Sequence, residues 1–192
     1  MGSRLIFKPE THEYFLEDGR ELYSITRVLR EAGLVDESHF NDEVRQRGTA
    51  VHAAIHYLND GDLNWSTVDE AILPYVRGYE KFKQESGFVP VFNEQPFFSE
   101  RYMIACHIDQ AGALRGKDSI VEIKTGSMQP WTALQTAGQS LCLPGFRDRR
   151  FGLELPGDGT YRLQHFTHQS DEYAFLSCLA LAHWKRNNGY LK

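Results

Sequence analysis

The 192-residue sequence predicts an α/β domain in which a central mixed β-sheet is flanked by helices. Short runs rich in aromatic and β-branched residues recur between Gly-containing turns, as is typical of strands. Longer segments between them place apolar residues at helical spacing. The 41% hydrophobic and 24% charged content is that of a globular domain with a substantial core. We therefore expect one domain spanning residues 1–192.

Composition also excludes some classes of protein. The net charge of −5 argues against a basic surface that wraps duplex DNA along its length. We expect no membrane partner, because no apolar run approaches the roughly 20 residues that cross a bilayer, and no signal-peptide core follows Met1. The three cysteines are widely spaced, which favours buried thiols in a reducing, cytoplasmic compartment.

The first elements are short strands and a helix. Strands are expected at 4–8, 12–16 and 21–23, with a hairpin turn at Glu17–Arg20. Ser24 is positioned to cap a helix that ends at Gly33.

A longer helix is predicted from about Asn41 to Asn59, where apolar residues recur at helical spacing. His52 lies about 100° round the helix from Val51, beside this apolar stripe, so its side chain can point into a cleft. His56, one turn further on, is interpreted as an ordinary surface histidine.

The next helix is predicted to start near Thr67, because Thr67 and Glu70 resemble a capping box, and to end at Gly87. Pro74 is expected to bend it. Its aromatic stripe is interpreted as core packing.

Three strands follow, at 88–98, 102–109 and 120–125, and the turn between the last two is placed at Gly116–Ser119. Asp109 precedes Glu122 by 13 residues, and an antiparallel hairpin can bring the two carboxylates together. Side chains alternate along a strand, so Glu122 and Lys124 share one face.

Two carboxylates and an ammonium on one face suit a particular chemistry. Oxygen ligands favour hard divalent ions such as Mg²⁺ or Mn²⁺. Such an ion polarises a phosphodiester and helps to ionise water, while a lysine orients that water or neutralises developing charge. The alternative is an exposed strand with a surface salt bridge.

The C-terminal part predicts a helix at 130–141, a hairpin of strands at 150–155 and 160–167, and a helix from a capping Ser170 to about Asn188. Leu134 and Ala137 share one face of the first helix, and Gln135 and Gln139 share another.

Five motifs in order resemble the PD-(D/E)xK nuclease superfamily, in its RecB-like, Cas4-like branch with phage-type and mitochondrial-type exonucleases. They are Ser24–Leu29 (S-I-T-R-V-L), Gly48–His52 (G-T-A-V-H), Glu94, Asp109 with Glu122-x-Lys124, and Leu134–Ala137 (L-Q-T-A). Members of that branch often have a tyrosine at the position that Gln139 occupies in this sequence. The resemblance implies a restriction-endonuclease-like core.

The resemblance implies a role for each matched residue. Asp109, Glu122, the Ile123 backbone carbonyl, His52 and Glu94 would bind Mg²⁺ or Mn²⁺. Lys124 would position the nucleophilic water, and Gln135 would steady that lysine or the DNA backbone. Some relatives carry an iron–sulfur cluster on four cysteines, which Cys106, Cys142 and Cys178 cannot supply, so we expect none.

The implied function is a metal-dependent DNA exonuclease acting on ends of single-stranded or resected DNA, in recombination or repair, in a bacterial or phage-infected cell. A recombination or single-strand-binding protein is a further expected partner. The alternatives are a structure-selective or nonspecific endonuclease and a catalytically silent DNA-binding module. The candidate DNA contacts, each of which could instead be a solvated face, are Arg45, Arg47, Gln135, Gln139, Arg147, Arg149 and Arg150.

Overall fold

The computed structural model describes residues 4–35, 42–147 and 149–190. Its strands are β1 (Leu5–Lys8), β2 (Glu13–Leu16), β3 (Glu21–Ser24), β4 (Val89–Ser99), β5 (Ile104–Leu114), β6 (Lys117–Lys124), β7 (Arg150–Glu154) and β8 (Arg162–Phe166). Its helices are α1 (Ile25–Glu31), α2 (Asp42–Asp60), α3 (Leu73–Ser86), α4 (Thr132–Cys142) and α5 (Ser170–Asn187). Short 3₁₀ turns occupy Trp65–Thr67 and Pro144–Phe146.

The strands form one mixed sheet in the order β1-β2-β3-β5-β6-β7-β8, and β4 also pairs with β5. The β3–β5 and β6–β7 pairs are parallel, and the others are antiparallel. Helix α4 forms the crossover between the parallel strands β6 and β7, as such a connection requires. The fold class predicted from the sequence, a central mixed sheet flanked by helices, is confirmed.

In the described part of the chain, an apolar cluster covers each face of the central strands, and a smaller one lies around β1–β3. The cluster on one face joins α1, α4 and α5 to residues of β5 and β6 such as Ile108 and Ile120. The cluster on the other face joins α2 and α3 to β6 through Val121 and Ile123. Successive residues of β6 therefore alternate between the two cores, and Glu122, between Val121 and Ile123, is directed toward the α4 side.

Several local predictions are confirmed by the backbone. The Ser24 hydroxyl accepts the Arg27 N–H and caps α1. Gly87 ends α3 with a φ of +66°, the left-handed conformation that suits glycine at a helix C-terminus. The predicted start of α2 at Asn41 lies outside the described residues, and its end is Asp60 rather than Asn59.

Other local predictions were wrong. Helix α3 begins at Leu73 rather than near Thr67, because Pro74 fits the first helical turn, where a missing N–H costs no hydrogen bond. Pro74 therefore starts the helix instead of bending it. Ser170 is the first residue of α5 rather than its cap, and Gln169 precedes it without a capping hydrogen bond.

The predicted turn between β5 and β6, Gly116–Ser119, was also wrong, because it lies too far toward the C-terminus. Leu114 pairs with Lys117, so the turn consists of Arg115 and Gly116, with φ values of +52° and +71°. Two positive φ angles are typical of the tight turn that matches the twist of a hairpin. Residues 117–119 consequently belong to β6.

Helices α4 and α5 approach closely at Gly138. A Cβ there would lie 2.7 Å from the Phe175 ring, so this position admits no side chain without a shift. This close packing holds α4, with its glutamines, firmly against the rest of the domain. Among the described residues, no helix combines the length and apolarity needed to cross a bilayer.

Candidate active site

The candidate site lies where the sheet divides along β5. One edge of β5 pairs with β4 over almost its full length. The other edge pairs with β3 at Ile104 and Ala105, and with β6 only from Gln110 onward. Asp109 is the first residue past the end of the β5–β6 ladder, so its side chain stands where β6 separates from β5.

Three potential metal ligands converge at this point. The Nδ1 atom of His52, on α2, lies 2.8 Å from a carboxylate oxygen of Glu94 and 3.5 Å from one of Asp109. One ligand atom from each of these three residues lies within 4.8 Å of the others. The set combines one imidazole with two carboxylates, a mixture that suits Mn²⁺ and also provides oxygens for Mg²⁺. The residues present therefore fit a divalent ion.

Glu94 reaches this cluster through an irregular backbone. Its φ is +49°, an unusual value for a residue other than glycine. Asn93 pairs with Gln110 and Gln95 with Ile108, which places Glu94 opposite Asp109. Ile108 and Ala111, three residues apart on β5, pack in the same core, which regular alternation does not allow. The faces on which the side chains of β4 and β5 lie are therefore exchanged at Glu94 and Asp109.

The charge states of the cluster respond to one another. Burial alone would lower the pKa of His52, but the charges of Asp109, Glu94 and Glu122 outweigh it and raise that pKa to about 9. Burial, together with the negative charge of Glu122, raises the pKa of Asp109 well above its usual range. A protonated His52 between two carboxylates supplies the positive charge that a metal ion would otherwise provide.

The Glu122 carboxylate, unlike that of Asp109, is surrounded by side-chain hydrogen-bond donors. Its Oε1 accepts hydrogen bonds from Lys124 Nζ and Gln135 Nε2, both at 2.7 Å. Its Oε2 accepts one from Gln139 Nε2, also at 2.7 Å. Burial opposes ionisation of Glu122, but Lys124, the Gln139 amide and the charge of His52 lower its pKa below the ordinary value. Glu122 is therefore a carboxylate with a full set of donors.

Lys124 is oriented from two sides. Besides its bond to Glu122, its ammonium donates to Gln135 Oε1 at 3.0 Å. Gln135 thus bridges Glu122 and Lys124, and its side chain belongs to the site rather than to the solvent. Asp109 joins the same hairpin by accepting the Ile123 N–H at 2.7 Å. The proposed ligand role of the Ile123 carbonyl stays a prediction.

A buried amide network supports the cluster from behind, and the sequence reasoning missed it. Asn59 Nδ2 lies within hydrogen-bond distance of Asn93 Oδ1 and Gln110 Oε1, the Tyr79 hydroxyl donates to Asn59 Oδ1, and Gln110 donates to Asn93. Asn93 also binds the His56 carbonyl on α2. The network joins α2 to β4 and β5 beside His52, Glu94 and Asp109. The sequence signal that could have revealed this network is a polar residue, such as Gln110, within an otherwise apolar strand.

The candidate DNA contacts are dispersed in the structure. Gln139 has no exposed surface and faces Glu122, which leaves no surface for DNA. Arg150 is buried and binds Asp171 at 2.9 Å, because it anchors β7 to α5. Arg147 makes a bidentate ion pair with Glu172, and Arg149 donates to the Leu114 carbonyl.

The remaining arginines lie on α2. Arg45 is exposed, and the Arg47 guanidinium lies 5.5 Å from the centre of the Tyr75 ring. Gln135 lies within the site, where it binds Lys124 and Glu122. His56 lies on the same helix and interacts with Asp60 rather than with the cluster.

The fold and the site thus define a mixed α/β domain with a buried carboxylate–lysine centre. No family model matches the sequence, and no curated protein matches it. The structure is similar to LHK-Exo in complex with dAMP, at 16% identity and a TM-score of 0.43, over 89% of this chain and 95% of that one. It is also similar to an alkaline exonuclease (LHK-Exo) from Laribacter hongkongensis, at 14% identity and a TM-score of 0.42, over the same shares. Neither likeness by itself carries a functional conclusion.

Proposed function

We propose that this protein is a divalent-metal-dependent deoxyribonuclease of the PD-(D/E)xK type, in its RecB-like branch. The observation that carries the proposal is the juxtaposition of a metal-ligand cluster with an oriented lysine. His52, Glu94 and Asp109 converge within ion-binding distance, and Asp109 accepts the N–H of Ile123, whose neighbours Glu122 and Lys124 form an ion pair at 2.7 Å. A surface salt bridge, the alternative for Glu122 and Lys124, is disfavoured because the Glu122 side chain is only 5% exposed.

The proposed roles follow from these positions. His52, Glu94 and Asp109 would hold the ion, with Glu122 and the Ile123 carbonyl as further ligands. A bound Mg²⁺ or Mn²⁺ would supply Lewis-acid polarisation of the phosphodiester and a lowered pKa for a coordinated water. Lys124 would orient the attacking water and offset negative charge that develops on the phosphate. Gln135 keeps the ammonium in place.

Glu122 would serve mainly to hold and direct Lys124. The Glu122 side chain is only 5% exposed, and it forms an ion pair with the partly exposed Lys124 ammonium at 2.7 Å. Gln139 holds the far carboxylate oxygen, so the carboxylate plane cannot rotate freely. This arrangement would prepare the lysine before a substrate arrives, which is the kind of preorganisation that lowers a reaction barrier.

We further propose that cleavage proceeds from an end of single-stranded or resected DNA. The acidic balance of the chain disfavours tight binding along a duplex, whereas capture of an end requires fewer phosphate contacts. The sequence contains no nucleotide-binding phosphate loop, so unwinding of a duplex would come from a partner. A recombination or single-strand-binding protein is a candidate for that partner.

Linear and covalently closed circular single-stranded DNA provide the test, each incubated with Mg²⁺, Mn²⁺ or EDTA. We expect metal-dependent degradation of the linear strand to short products while the circle survives much longer. Rapid nicking of the circle would support the endonuclease alternative. Binding of DNA without cleavage in any metal would support the catalytically silent module and contradict the nuclease proposal.

A further inference from the structure

A cavity of about 730 Å³ opens directly beside Lys124. Its volume lies within the range of protein sites that hold small organic ligands. The loop between β6 and α4 contributes most of the lining, and Leu34 and Val44 also line the cavity. Leu34 is 43% exposed.

Trp131 presents a half-buried indole to this cavity. The Lys124 ammonium lies over the ring, 5.1 Å from its centre. Trp131 packs against the core cluster under α4 and immediately precedes that helix. Gln135, one turn into α4, donates to Glu122 and accepts from Lys124. The indole and the ammonium are therefore held in a defined relation by the same helix.

We propose that this cavity binds an unpaired nucleobase of the DNA strand being cut, stacked on Trp131. The inference rests on the proposed function, since it places the scissile phosphate at Lys124. One sugar separates the base of a nucleotide from its phosphate, so the indole and an ammonium 5.1 Å from its centre can engage the base and the phosphate of one nucleotide. Every base has a stacking face, and such contacts are largely independent of sequence.

The walls of the cavity match this ligand. Pro130 and Leu134 extend the apolar surface around the indole, which suits the faces of a base. Ser127 and Gln129 add polar groups near the loop, which suit its edges. A base in a duplex is already stacked and paired, so this subsite would select single-stranded DNA or an unpaired end.

The proposal is tested by binding of a fluorescently labelled single-stranded 12-mer of thymidine, with Ca²⁺ replacing Mg²⁺ to limit turnover. Trp131→Leu should weaken binding roughly tenfold, since loss of a stacked base–aromatic contact has effects of this order. Trp131→Phe should retain most of the affinity because it keeps a ring. Trp184→Leu is the matched control, since Trp184 is exposed on α5 and does not line the cavity.

An abasic scan separates stacking from packing. The 12-mer is prepared with a single abasic nucleotide at each position in turn, and one position should weaken binding to the parent about as much as Trp131→Leu does. At that position Trp131→Leu should cause no further loss. A flat scan with the parent, or an equal loss in Trp131→Leu at every abasic position, would overturn the stacking proposal even if the variant folds poorly.

The outcome is distinguishable from failure of the nuclease proposal. A parent protein that cuts linear DNA but shows a flat abasic scan is a nuclease without this subsite. A parent that shows one sensitive position but cuts no DNA with Mg²⁺ or Mn²⁺ binds bases at Trp131 without being a nuclease.

Discussion

Asp109 and Glu122 are buried carboxylates on neighbouring strands, yet their surroundings differ in charge and in hydrogen-bond donors. Glu122 meets an ammonium and two amide donors, and its pKa is lowered. Asp109 accepts one backbone N–H and otherwise shares a protonated histidine with Glu94, and its pKa is raised. One half of the site is electrostatically complete without a ligand, whereas the other has carboxylates in excess.

This difference indicates a division of labour. Excess buried negative charge is costly, so the half containing His52, Glu94 and Asp109 gains stability when a cation binds. The half containing Glu122, Lys124, Gln135 and Gln139 already pairs its charges, so it gains less from such a cation, and its order serves mainly to direct the lysine. The comparison predicts that variants of the first half change mainly metal affinity, and that variants of the second half change mainly turnover.

The largest expected effect is on turnover in Lys124→Ala. We expect kcat to fall by roughly 10²–10³-fold, because the ammonium acts on charge that develops only in the transition state. The fold and the DNA affinity should be retained, although Tm should fall because the buried Glu122 loses its counter-charge. Lys117→Ala is the matched control, since Lys117 is an exposed lysine of the same strand. Turnover of Lys124→Ala within a few-fold of the parent would remove lysine from the mechanism.

The second prediction compares the two carboxylates by calorimetric titration with Mn²⁺. Asp109→Asn should weaken binding by about tenfold or more, since removal of a direct ligand is at least as damaging as loss of a supporting partner. Glu122→Gln should weaken Mn²⁺ binding as well, but less, because that carboxylate is occupied by Lys124, Gln135 and Gln139. Unchanged affinity in both variants would place the metal elsewhere.

The third prediction separates the two histidines of α2. His52→Ala should weaken Mn²⁺ binding by roughly tenfold and slow cleavage, because imidazole is a good ligand for manganese. His56→Ala should leave the Mn²⁺ affinity and the cleavage rate within about twofold of the parent, because its partly exposed pair with Asp60 contributes little. Equal effects of the two substitutions would indicate that the histidines support the helix rather than the metal.

The smallest expected effect is a pH dependence of the metal-free protein. The pKa of His52 is raised from 6.5 to about 9, so its contribution to stability is complete below pH 6.5 and is lost as pH rises through about 9. In EDTA, the difference in Tm between the parent and His52→Gln should shrink across that window.

Metal affinity should change in the opposite direction, rising over the same window as His52 loses its proton. A Tm difference that does not vary with pH, combined with an affinity for Mn²⁺ that does not vary either, would contradict the charged state assigned to His52.

Much of the fold could be predicted because its signals are local. Ser24 was identified as a cap from its hydroxyl and its position before an apolar run, and Gly87 as a terminator from its freedom at positive φ. The Asp109–Glu122 proximity follows from two strands and one short turn, even though that turn was placed too late. The prediction that Pro74 bends the helix was wrong because a proline can either bend a helix or start one, and the neighbouring residues do not decide between the two.

The sequence by itself determined the order of the elements, the faces of β6 and the identity of the acids and the lysine. The resemblance added His52 and Glu94 as expected ligands, and only the tertiary structure decided how they meet Asp109, Glu94 doing so through a backbone with φ of +49°. The tertiary structure likewise turned Gln139 inward to Glu122 and Arg150 inward to Asp171. The reason is physical: alternation, capping and turns depend on residues a few positions apart, whereas these contacts join segments 14 or more residues apart that burial brings together.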